Sequence, residues 1–121
     1  MTIAFKNELE FSLGSKYSEK VYKSDYKTDK TKLFNSCIKT LEKLGYDIEE
    51  IDDDNLELFF QIEQKKMKNY GYQFIIKAIR TGSSKSTLVI RVQTELTQLG
   101  IFTFEKKRGK ELADQIFENI K

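Results

Sequence analysis

The densest set of groups able to do chemistry in this chain is acidic: Asp47, Glu49, Glu50, Asp52, Asp53, Asp54 and Glu57 lie within one short stretch. Carboxylates packed in this way can hold a divalent cation or share a proton. Their spacing fits neither use. A calcium loop of the EF-hand type needs Gly at its sixth position and a carboxylate at its twelfth, and counting from Asp52 those positions hold Glu57 and Glu63. Asp52-Asp53-Asp54-Asn55 therefore reads as a hairpin turn whose side chains bond their own backbone. Histidine is absent, which excludes Ser-His and Cys-His nucleophile pairs, His-bearing zinc sites and imidazole bases. The only thiol, Cys37, falls on an apolar stripe and reads as a small buried side chain rather than a reactive one. Gly82-Ser83-Ser84-Lys85-Ser86-Thr87 has the flavour of a phosphate cradle, yet it lacks a Gly before the Lys and leads into a strand instead of a helix. No catalytic residue, metal or cofactor is expected, and the protein is not expected to be an enzyme.

The elements that would carry any site follow from the apolar period. Leu33, Phe34, Cys37, Ile38, Leu41 and Leu44 recur at helical spacing, with Asp29 or Thr31 to cap the start and Gly45 to close the end, which predicts a helix over 30–44. Leu112, Ala113, Ile116, Phe117 and Ile120 mark one face of a closing helix. Between them the period is two. A short strand over 46–51 leads into one in which Leu56, Leu58, Phe60 and Ile62 alternate with Glu57, Phe59, Gln61 and Glu63. Tyr70, Tyr72, Phe74, Ile76 and Ala78 continue the series, and Leu88, Ile90 and Val92 complete it after a loop over 81–86. Short connections make these strands antiparallel.

The expected fold is α+β: a four-stranded antiparallel sheet with two helices packed on one face, in the order β-α-β-β-β-β-α if an N-terminal strand joins it. Residues 1–27 read as an extended segment before a single domain over 28–121, since a chain of 121 residues suits one core. That segment carries Phe5, Leu9, Phe11, Leu13, Val21 and Tyr22, too apolar for a free tail, and it would add a strand, cover the far sheet face, or do either in a second copy. On the far face Phe59, Ile75, Ile79 and Val89 stand among Gln61, Gln73, Lys77 and Arg91, a mixture that needs a cover or a partner.

Composition sets further bounds. Apolar residues make up 39% and charged residues 33%, enough for a core and a highly charged outside. No apolar run approaches the roughly 20 residues that cross a bilayer. Met1 to Glu10 shows no signal-peptide pattern, so the cytoplasm is the expected address. Net charge is only +2, but from Leu58 to Lys110 basic residues outnumber the acidic Glu63, Glu95 and Glu105 by eleven to three, which predicts a positive surface.

Lys106-Lys107-Arg108-Gly109-Lys110-Glu111-Leu112-Ala113 resembles the Lys-Lys-x-Ala-Lys start of the last helix in double-stranded RNA-binding domains. The resemblance implies phosphate contacts from Lys106, Lys107 and Lys110. It departs from that family in having Gly109 for Ala and no Pro or His for the Gly-Pro-x-His loop. A broader likeness runs from Val21 to Lys121. With Leu41-x-x-Leu44-Gly45-Tyr46-x-Ile48 at its centre, the chain looks like small bacterial strand-helix-four-strand-helix domains and the related helix-grip architecture, in which a sheet curls around its last helix. That resemblance implies a binding module without catalytic residues.

The sequence offers three candidate sites. A polyanion surface would use Lys65, Lys66, Lys68, Lys106, Lys107, Arg108 and Lys110. An apolar pocket would use Tyr46, Tyr70, Tyr72, Phe74 and Phe117, though the same residues serve equally as core. An interface would use Phe59, Ile75, Ile79 and Val89, with Leu99, Ile101 and Phe102 from the apolar cluster around Gly100, read as a further strand, a lip or a contact surface. The expected function is binding, to a protein partner or in a homodimer; RNA or another polyanion is the first alternative and an apolar small molecule the second.

Overall fold

A computed structural model describes residues 17–63, 71–95 and 102–120. The order is β1 (Tyr17–Tyr26), α1 (Lys30–Lys43), β2 (Ile48–Asp52), β3 (Glu57–Glu63), β4 (Gly71–Gly82), β5 (Lys85–Glu95) and α2 (Phe102–Asn119). The class is α+β, with every strand antiparallel to its neighbours in the order β1-β5-β4-β3-β2. The sheet has five strands, not four. The added one is β1, drawn from the segment set apart over 1–27, and it lies along the whole of β5 from Tyr17 opposite Glu95 to Tyr26 opposite Ser86.

Local chemistry sets the boundaries. The Asp29 carboxylate accepts the Lys32 N–H at 2.9 Å, satisfying one free donor of the first turn of α1. At the other end Gly45 takes φ +88°, its N–H reaches the Glu42 carbonyl at 3.1 Å, and the Tyr46 N–H reaches the Leu41 carbonyl at 2.9 Å. That pair of bonds is the Schellman closure, and it needs a residue without Cβ strain at its centre. Between β2 and β3, Asp52 accepts from the backbone N–H groups of Asp54 and Asn55 and from the Asn55 amide, which holds its carboxyl below the usual range. Asp52-Asp53-Asp54-Asn55 is thus a turn, while Glu49 and Glu50 lie on β2 and Glu57 on β3. Gly82 pairs with Lys85, leaving Ser83-Ser84 as a tight two-residue connection.

Both helices cover the same sheet face. Leu33, Phe34, Cys37 and Leu41 of α1 and Leu112, Ala113 and Ile116 of α2 join Leu58, Phe60, Tyr72, Phe74, Ile76, Leu88, Ile90 and Val92 in one buried cluster. Two bonds fasten the end of α2: the Tyr26 hydroxyl donates to the Phe117 carbonyl at 3.1 Å and the Thr40 hydroxyl to the Asn119 carbonyl at 3.4 Å. At Gly109 the backbone of α2 lies close against the sheet. A Cβ there would lie 3.0 Å from Val92 Cγ1 and 3.6 Å from the Tyr72 ring. The helix therefore gives up helical propensity at Gly109 to sit directly on β4 and β5.

Burial pushes the Cys37 thiol up to about 12. Because the folded value lies above the ordinary one of 9.0, the thiol's contribution to stability is fully present below pH 9.0 and declines as pH rises toward about 12. Folded protein is expected to react with an aromatic disulfide reagent only at the rate of unfolding at neutral pH. Rapid labelling without denaturant would contradict the burial. Gly109→Val is expected to destabilise the fold by about 1–3 kcal/mol in urea denaturation, because the branched side chain has no space against Val92.

Candidate functional site

The sheet's inner surface carries a row of aromatic side chains. Tyr46 stacks on Phe60 with ring centroids 5.1 Å apart, Phe60 on Phe74 at 4.8 Å, and Tyr72 tilts against Phe74 at 6.5 Å. Phe60 and Phe74 stand directly opposite each other on β3 and β4 and are fully buried, while Tyr72 is 2% exposed. Of the pocket residues expected from sequence, Tyr46, Tyr72 and Phe74 are brought together. Tyr70 lies outside the described residues. Phe117 packs near Tyr26 at the far end of α2, eight residues and roughly 12 Å along the helix axis from Gly109. Phe117 therefore stands apart from the row of Tyr46, Tyr72 and Phe74. Phe60, assigned from sequence only to the core series, is the centre of the row. Burial raises the Tyr46 hydroxyl above its ordinary range, and the nearby Arg108 guanidinium works against that shift.

The opposite face has its own small core. Phe59 and Ile75 pair across β3 and β4 at 0% and 2% exposure, separate from the main cluster. Glu57, Thr87 and Gln93 are buried on the same side, and the Gln93 amide finds no hydrogen-bond partner among the described residues. Ile79 and Val89 are half-buried. A partner reaching Phe59 or Ile75 would have to displace what already shields them. Phe102 begins α2, so the residues from 102 onward of the apolar cluster are helix and not a further strand; Leu99 and Ile101 lie outside the described residues.

Four of the described basic residues are matched with carboxylates. Lys77 reaches Glu57 at 3.5 Å, Arg91 meets Glu19, Arg108 reaches Glu111 at 3.6 Å and Lys110 reaches Asp114 at 3.1 Å. Arg108 and Lys110 thus sit on the solvent side of α2 in intrahelical pairs. Lys106 and Lys107 belong to the same helix, and Lys65, Lys66 and Lys68 lie outside the described residues. An open groove of about 430 Å³ between the start of α1 and the β4–β5 turn gathers Lys30, Arg80 and Lys85. Asp29 also lines it and already occupies the Lys32 N–H, so the groove is not a built anion site. Among the described residues no group of His, Cys, Asp and Glu could hold a metal ion. No described helix is long and apolar enough to cross a membrane.

No sequence-family model and no curated protein sequence matches this chain. Solved structures do. TTHA0849 from Thermus thermophilus aligns with a TM-score of 0.60 at 13% identity, over 85% of this chain and 94% of that one. Ara h 8.0201 aligns with a TM-score of 0.67 at 14% identity, over 87% of this chain and 95% of that one. At these identities the likeness concerns architecture alone, and with the layer arrangement described above it gives the chain a helix-grip-like fold.

Proposed function

We propose that this protein acts by binding and not by catalysis, and that it binds a protein surface, a second copy of itself included. The observation that carries this reading is the close packing of the described part of α2 on the sheet. Phe60 and Phe74 stack at 4.8 Å, Gly109 lets the helix backbone reach Val92 and Tyr72, and the inner face is occupied by the chain's own side chains. A small apolar ligand would have to break those contacts. The polyanion reading draws less support, since the two residues of its set whose side chains are described, Arg108 and Lys110, are each paired with a carboxylate of α2.

Catalysis finds few tools. The thiol is buried and protonated, histidine is absent, and Asp52 is committed to its turn. What the described surface does offer is sheet edge and two exposed apolar side chains, Val21 and Ile51.

Native mass spectrometry of protein as purified from cells tests the reading. The expected spectrum has no retained small molecule, and lauric acid added in excess is expected to produce no saturable one-to-one adduct. A stoichiometric adduct would overturn the reading in favour of a pocket. Retention on heparin that collapses steeply with salt would overturn it in favour of a polyanion surface.

A further inference from the structure

We propose that the outer edge of β1 pairs antiparallel with the same strand of a second copy, about a two-fold axis at Val21. The inference deepens the protein-binding reading above and rests on it. Among the described residues β1 hydrogen-bonds only to β5, so its other edge presents unpaired backbone groups along Tyr17–Tyr26. Free edges are usually blunted by shortness, bulges, proline or charged side chains of one sign, whereas β1 carries two acidic and two basic residues, Glu19, Lys20, Lys23 and Asp25, that can pair with those of a second copy. The opposite edge, β2, follows that rule: it is five residues long, its register shifts between Ile48 and Glu50, and it is acidic. β1 is ten residues long, pairs with β5 without a register shift, and contains no proline.

At the centre of this long edge Val21 is 50% exposed, the largest exposure among the described large hydrophobic side chains. It extends a cross-sheet row that runs Phe59, Ile75, Arg91, Val21 on the face away from the helices. A two-fold axis perpendicular to the sheet would continue that row into the second copy and bury the two valines against each other. α2 lies more over β5 than over β1, set back from the edge, which leaves room for the approach.

Charge and length of overlap together choose the register. Residues directly opposite in an antiparallel pair share a face, and a symmetric pair must place one residue opposite itself. With Val21 on the axis, Glu19 faces the partner's Lys23 and Lys23 faces the partner's Glu19. On the other face Lys20 meets the partner's Tyr22, whose ring can take a cation. Moving the axis to Tyr22 sets Glu19 against the partner's Asp25 twice, and moving it to Lys20 sets two lysines against each other. Opposite charges across a pair stabilise and like charges destabilise. An axis at Ser24 would also set Lys23 against the partner's Asp25 but would overlap only residues 22–26 of β1, so the Val21 register is the one that joins charge complementarity with a long overlap. Glu19 is already held on that face by Arg91, which fixes it for the contact.

The test combines mass and cross-linking. Wild-type protein is expected to show a dimer in sedimentation that dissociates on dilution. Opposed residues in an antiparallel pair have Cα atoms roughly 4.5–5.5 Å apart, within the span a disulfide bridges. Val21→Cys is therefore expected to form a covalent dimer on mild oxidation. Asp25→Cys is not, because two copies of that position would lie roughly 26 Å apart. Lys23→Glu is expected to weaken the dimer about tenfold, and adding Glu19→Lys to restore it. A monomer at every concentration, or a dimer that Val21→Cys does not trap and Lys23→Glu does not weaken, overturns the inference. Either result leaves the protein-binding reading standing, since that reading falls to a retained small molecule or to heparin, not to the loss of this edge.

Discussion

The structure depends on one requirement: alternate residues of β3, β4 and β5 must leave water together, and only a second layer can allow it. Leu58, Phe60, Phe74, Ile76, Leu88, Ile90 and Val92 present a continuous apolar surface several strands wide. A single helix covers a stripe roughly 10 Å across, about two strand spacings, so two helices are needed and both must lie on the same side. The remaining features serve that contact. The Schellman turn at Gly45 drops Tyr46 onto Phe60, and the hydrogen bonds from Tyr26 and Thr40 hold the last turn of α2 in place.

Filling the inner face has a consequence for the outside. Side chains buried on the described inner face are closed to a partner, which leaves the surfaces outside the core. Those surfaces are unequal. The far face buries Phe59 and Ile75, α2 turns paired charges to solvent, and the acidic hairpin spends its Asp52 carboxylate on its own backbone. The sheet edges are left, and only one of them is long, regular and apolar at its middle.

Much of this was legible in the residues, for reasons that differ by element. α1 could be read from its stripe and both caps because helix signals are local, lying within four residues of the groups they satisfy. β3, β4 and β5 could be read because burial on one face imposes a strict period of two. β1 was less visible: as an edge strand it is only half covered, so Lys20 and Ser24 stand on its inner side where a central strand would carry apolar residues. Phe59 and Phe60 illustrate a second limit. Two consecutive aromatics are both fully buried, one on each side of the sheet, and alternation predicts only one of them inside. The start of α2 at Phe102 was hidden because an apolar cluster around a glycine has no period of its own. The candidate sites were harder still, since they depend on contacts between residues far apart in sequence. Nothing near Gly109 tells that Val92 and Tyr72 will press on it, although a glycine in an otherwise strong helical run was the one available clue.

That glycine also bears on how far fold can be carried toward function. Architectures in which a helix spans a curved sheet can enclose a ligand or be filled by side chains, and the two cases share the same layers and topology. The difference lies in the distance between helix and sheet. A larger residue at the closest approach would lift the helix, and smaller residues in the aromatic row would open space below it. This chain does the reverse on both counts, with no side chain on the helix at Gly109 and three aromatic rings on the sheet, with Tyr46 stacked beside them from the α1–β2 connection. Two structures that share its frame at 13% and 14% identity can therefore differ from it in what the frame holds, because the contents are set by side chains that the backbone likeness does not compare.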